Sequence, residues 1–192
     1  MTAGAHQKKQ LGFTLIEVII SLTITSLLLL IVASLYGLSQ STYATTDTTA
    51  EITQNGRVIL DRLIRELRQT PAIVTTIPAT NGDPESLPDE IMFQDGHDTS
   101  AIRYLRYYLI GSDLKRQIII YYFPSDPANY VYWHATDQGG NPPTSEILED
   151  KIIGEYVYDL EFWGVKLISI NLYLFKNGQS EIINTAVYGR NL

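Results

Sequence analysis

His97 falls in Asp95-Gly96-His97-Asp98, where loop oxygens or an imidazole could hold a divalent cation such as calcium. The spacing matches neither an EF-hand nor a zinc pattern, and a solvated turn is the simpler reading. His134 follows Trp133 on an expected strand with no HExxH neighbour, so packing or surface exposure suits it better than metal ligation. The paired carboxylates Glu149-Asp150 lie in a polar stretch, and Asp159 and Glu161 share the outward face of an expected strand, which gives no support for general acid–base chemistry. There is no Gly-x-Ser-x-Gly elbow and no phosphate-cradling glycine loop. The absence of cysteine removes disulfides, thiolate metal sites and Cys nucleophiles together. Calcium at Asp95 and Asp98 stays open; otherwise no cofactor, no metal and no catalytic residue is expected.

The charge that stands out is Glu17, the one charged residue in the apolar run from Phe13 to Leu38. That run is long enough to cross a hydrocarbon core of about 30 Å as a helix. Lys8 and Lys9 precede it and no Lys or Arg follows before Arg57, so the positive-inside asymmetry puts the N-terminus in the cytoplasm and the remainder outside. A secretory signal would have a shorter apolar region ending at small residues, and Ala33-Ser34 is a weak site of that kind. An uncleaved signal anchor is the plain alternative. A carboxylate at the bilayer end of a helix costs up to a few kcal/mol unless it is compensated. Either Glu17 reaches the headgroups near the cytoplasmic interface, or it meets a cation inside an assembly.

The stretch Lys8-Lys9-Gln10-Leu11-Gly12-Phe13-Thr14-Leu15-Ile16-Glu17-Val18 resembles the cleavage and methylation signal of type IV prepilins: a short basic leader, Gly, Phe, a Thr-Leu-Ile run, then Glu. The resemblance implies that prepilin peptidase cuts between Gly12 and Phe13, removing residues 1–12, and methylates the new amine of Phe13. That amine would then be the cation for Glu17 of a neighbouring subunit. Many major pilins carry a proline midway along this helix, whereas here none precedes Pro71.

Beyond the apolar part (13–38) the helix continues over 39–70. A Ser/Thr/Ala-rich stretch leads into Ile52, Ile59, Leu60, Leu63, Ile64 and Leu67, which recur on one helical face. Asp61 with Arg65 and Arg62 with Glu66 are spaced to pair, Gly56 marks a bend, and Pro71 stops the helix near Gln69. If unbroken, the element runs about 85 Å, more than a domain of this size can bury. Residues 71–89, with Pro78, Asn81-Gly82, Pro84 and Pro88, read as a loop.

Strands are expected at 90–94, 102–110, 114–123, 130–134, 156–163, 166–175 and 180–188, rich in β-branched and aromatic residues. Asn177-Gly178 is a tight hairpin turn and Gly111-Ser112-Asp113 a second, so the sheet should be antiparallel. Several tyrosines, among them Tyr104, Tyr107, Tyr108, Tyr121 and Tyr122, belong either to the core or to an interface. The expected class is α+β: a long N-terminal helix, transmembrane and then amphipathic, packed on an exported antiparallel β domain (71–192).

That plan is similar to the pilin-like fold. Tyr156-Val-Tyr-Asp-Leu-Glu-Phe-Trp163 and the Arg190-Asn191 ending look like those of the J-type minor pseudopilins of type II secretion and related minor pilins. The resemblance implies a structural subunit, not an enzyme, anchored by a single pass in the bacterial inner membrane. Its implied partners are prepilin peptidase, other major and minor pilin or pseudopilin subunits, the inner-membrane assembly platform and membrane lipid. A minor pilin of a type IV pilus or competence system shares the same leader, and a signal-anchored exported binding domain or enzyme is the rival of another class. Loss of Lys8 and Lys9 with the leader leaves 12 basic against 21 acidic residues, a formal charge of −9. Such a balance repels phosphate backbones, so direct nucleic-acid binding is not expected.

Overall fold

The computed structural model describes residues 12–82, 87–97 and 101–189. The leader lysines Lys8 and Lys9, Pro84 of the loop, Asp98 and the Arg190-Asn191 ending lie outside the described residues. One helix, α1 (Leu15–Gln69), is followed by eight strands: β1 (Ile91–Gln94), β2 (Tyr104–Ile110), β3 (Asp113–Phe123), β4 (Asp126–Tyr130), β5 (Thr144–Gly154), β6 (Val157–Trp163), β7 (Leu167–Lys176) and β8 (Gln179–Tyr188). The chain divides into two compact units, Met1–Thr46 and Asp47–Leu192.

In the first unit α1 is long and apolar enough to cross a membrane, and none of its apolar residues is buried among the described residues. Its hydroxyls bond back to the helix: Thr23 to the Ile19 carbonyl at 2.8 Å, Thr25 to Ser21 at 2.7 Å, Ser34 to Leu30 at 2.9 Å. Satisfied in this way, they can face lipid without an unpaired donor.

In the second unit the last turns of α1 bury Ile52, Ile59, Leu60, Leu63 and Leu67 against two antiparallel sheets. One holds β1-β2-β3, with β5 pairing along most of β3 and the short β4 pairing at its C-terminal end, on the edge opposite β5; the other is β6-β7-β8. Ile168, Ile170, Leu172 and Leu174 point inward from β7, as their alternation requires. The helix ends at Gln69, where Thr70 replaces the lost helical bonds: its Oγ1 donates to the Gln94 carbonyl at 2.7 Å, and Pro71 follows. Asn177 (φ 50°) and Gly178 (φ 79°) form the β7–β8 turn in the left-handed region, with Lys176 opposite Gln179.

Three sequence expectations change. Gly56 is not a bend: α1 continues through it, and a Cβ there would come within 2.5 Å of both the Leu174 and Ile183 side chains, so glycine lets the helix lie close on β7 and β8. The strand expected over 130–134 lies earlier, at Asp126–Tyr130. Residues 131–134 turn instead: the Trp133 N–H donates to the Tyr104 hydroxyl at 3.2 Å and the Tyr132 ring stacks on His134 at 5.8 Å. The polar stretch around Glu149-Asp150 is β5, an 11-residue strand. Register shifts at Leu114/Lys115 and Ile118/Ile119 break its inside–outside alternation, which is why it does not read as a strand.

Candidate functional site

The helix entry is built from four residues. Thr14 caps α1: its Oγ1 accepts the Glu17 N–H at 3.4 Å, while Glu17 Oε2 accepts the Thr14 N–H at 2.8 Å and the Thr14 hydroxyl at 2.9 Å. This is the reciprocal capping box, in which the first turn's orphan donors are met by Thr and by Glu three residues on. The three bonds between Thr14 and Glu17 leave Oε1 without a partner among the described residues, so the carboxylate can cap its own helix and still accept from a second donor. Phe13 is 85 % exposed, and a Cβ on Gly12 would meet nothing within 4 Å. Nothing among the described residues therefore demands glycine at 12.

The other singled-out residues do not gather with these or with one another. Asp95 Oδ1 accepts the His97 N–H at 2.9 Å, forming a local turn. Among the described residues no three His, Asp or Glu side chains converge as a metal site would require. His134 packs edge-on to Trp133. Glu161 accepts from Asn171 and from the Tyr173 hydroxyl, both at 2.9 Å, and Asp159 accepts the Leu160 N–H at 2.8 Å. Glu149 is held low by its Lys151 bond, with Arg116 adding to the effect; Asp150 is held low by Gln117, then by Tyr108 and Lys115. A general acid needs a carboxyl pushed the other way.

One polar assembly escaped the sequence reading. Arg116, 8 % exposed, bonds Glu66 of α1 through Nε at 3.1 Å and Glu149 of β5 through Nη1 at 3.1 Å. The Tyr107 hydroxyl donates to Glu66, which also meets Arg62 at 3.4 Å. Burial, reinforced by Glu66, pushes the Tyr107 phenol up, so it stays a donor. The network ties the end of α1 to β2, β3 and β5. Its one sequence signal is that Arg116 alternates with Leu114 and Ile118 on the inward face of β3. Tyr104 and Tyr107 are core residues, while Tyr108, Tyr121 and Tyr122 are partly covered.

Residues 7–33 match the prokaryotic N-terminal methylation motif, which spans the basic pair, Gly12-Phe13, the capping box and the start of the apolar helix. No curated protein and no solved structure matches the chain. That motif stands ahead of a long apolar helix and an antiparallel β domain, so the chain carries an N-terminal signal of the type IV prepilin kind on a pilin-like α+β layout.

Proposed function

We propose that the chain is a structural minor subunit of a pilin-like filament, cleaved between Gly12 and Phe13, methylated on the Phe13 amine, and drawn from the inner membrane into an assembly by its apolar helix. The observation that carries this reading is the motif-bearing helix entry: an exposed Gly12-Phe13 bond one residue before a capped helix whose Glu17 Oε1 has no partner among the described residues. In a low-dielectric bundle the new amine of a neighbour and that oxygen attract far more strongly than they would in water. Each subunit then holds one acceptor and offers one donor, which selects a register. Lys8 and Lys9 hold the leader on the cytoplasmic face until the cut.

Within this class the J-type minor pseudopilin of type II secretion fits best, working with other minor subunits to start or cap a pseudopilus. The Tyr156–Trp163 segment and the large share of the chain given to β structure support it. The subunit itself catalyses nothing and needs no cofactor. The test is the intact mass and N-terminal sequence of the protein from its native membrane. A chain beginning at methylated Phe13 is expected; a chain beginning at Met1 or Thr2 would make Glu17 an interfacial residue and the β domain a signal-anchored module.

A further inference from the structure

A sheet edge is a row of unpaired donors and acceptors, and soluble domains blunt such edges with charge, proline, bulges or cover. The edge of β1 is covered: Val74 and Thr75 donate to the Met92 carbonyl, Gln94 donates to Ala72, and Ile73 bridges Phe93. The β5 edge carries Glu146, Glu149, Asp150 and Lys151 and is broken by two register shifts. β4 is short and contains Pro127. β6 has its own shift at Val157/Asp159, and the chain is tied down at both of its ends by the bonds Val157 to Ser112 and Gly164 to Pro78.

β8 has only one of these protections, a single charge near its hairpin end. It pairs with β7 in unbroken register from Leu167↔Tyr188 to Lys176↔Gln179, contains no lysine and no proline, and carries Glu181 as its one charge. Among the described residues no segment pairs with its other side. Its inward residues Glu181, Ile183 and Thr185 are only half-buried, although Leu174, Leu172 and Ile170 opposite them on β7 are fully buried. Beside the edge, Asp61, Ile64, Arg65, Arg68 and Gln69 of α1 line an open groove with Tyr188, and Arg65 and Arg68 make no ion pair among the described residues.

We infer that β8 is a docking edge for an extended strand of a different subunit, which extends the β6–β7–β8 sheet and brings a carboxylate to Arg65 and Arg68. The inference rests on the assembling role proposed above. Strand addition supplies main-chain hydrogen bonds, and the two guanidinium groups supply a charge that fixes which end of the strand lies at Tyr188.

A two-fold β8–β8 pair of identical copies does not fit. Glu51 pairs with Lys176 at the hairpin end of β8 and Arg65 and Arg68 stand by Tyr188 at the other, so the end of α1 runs along β8 in the same direction. Pairing β8 with β8 about a two-fold axis would reverse α1 between the copies, whereas chains anchored with one topology enter their folded domains the same way.

The test is amide hydrogen exchange by mass spectrometry on the full-length chain in detergent, alone at two concentrations and within the complex isolated on it from its native membrane. In the complex, β8 amides should slow at least ~10-fold while β5 amides do not change. Thr185→Lys places an inward charge that escapes through the open edge but would be trapped by an added strand; it should abolish the slowing without lowering the unfolding temperature of the chain alone. Arg65→Glu with Arg68→Glu should do the same. Equal β8 exchange in a processed, assembled chain overturns the docking edge and leaves the subunit role intact. Slowing that appears in the chain alone as concentration rises overturns the choice of a different subunit, and an unprocessed N-terminus overturns the role beneath both.

Discussion

Replacing Arg116 by Met tests whether the second unit is locked by the one buried cation among its described residues. The side chain joins Glu66 and Glu149, which are 20 % and 27 % exposed, and Glu66 also receives the Tyr107 hydroxyl. Removing one partner of a fully buried pair costs about 3–5 kcal/mol, because a charge is left unpaired in low dielectric. Here both carboxylates reach some water, and Glu149 keeps Lys151 at 2.8 Å. The cost discounted for that exposure is about 2–3 kcal/mol. For a unit of this size it corresponds to a drop in unfolding temperature of about 4–12 °C. Near-ultraviolet circular dichroism of the full-length chain in detergent reads it, since Tyr104 and Tyr107 report core packing. Adding Glu66→Gln to Arg116→Met removes the stranded charge while keeping an acceptor for the Tyr107 hydroxyl, and should recover more than half of the loss. If the single variant melts within 1 °C of the parent, or the double variant melts lower than the single, then the reasoning about an uncompensated charge is wrong.

Gly56→Ala should destabilise by about 1–2 kcal/mol in the same assay, overpacking against Leu174 and Ile183 outweighing alanine's helix preference of about 1 kcal/mol; a gain in stability would mean that the sheet yields. Glu149 and Asp150 have depressed folded pKa values, so the native state binds fewer protons than the unfolded chain; their stabilisation is present above the ordinary carboxyl range near pH 4 and is lost as pH falls through the folded values. An unfolding temperature that stays flat from pH 6 to pH 3 would contradict that. Gly12→Ala should be processed better than Gly12→Val, with intact mass as the readout; equal processing argues against a fitted cleavage pocket, since the chain itself has room for either. Glu17→Gln should be cleaved normally yet enter filaments poorly, as scored by subunit recovered in sheared filaments; normal recovery removes the amine pairing.

What was legible in the sequence is local in its causes. A 26-residue apolar run with one carboxylate, a Gly-Phe junction and the order of charges around it depend only on neighbours in the chain, and so do the helix stop at Pro71 and the Asn177-Gly178 turn. Even the capping box was present as Thr14-x-x-Glu17, a pattern that the reading of Glu17 as an assembly carboxylate overshadowed.

The tertiary structure alone decided the rest, because each remaining feature depends on what lies opposite. β5 is a strand because β3 pairs with it across two bulges, against its own polar pattern. Arg116 is tolerable inside because Glu66 arrives from a helix fifty positions earlier. Gly56 is a contact and not a bend because Leu174 and Ile183 come up against it. β8 has the same alternating composition as its neighbours, and only the order of strands leaves it at the edge. Periodicity says which face of an element is apolar; it does not carry the identity of the element that will cover that face, and long-range pairing supplies that.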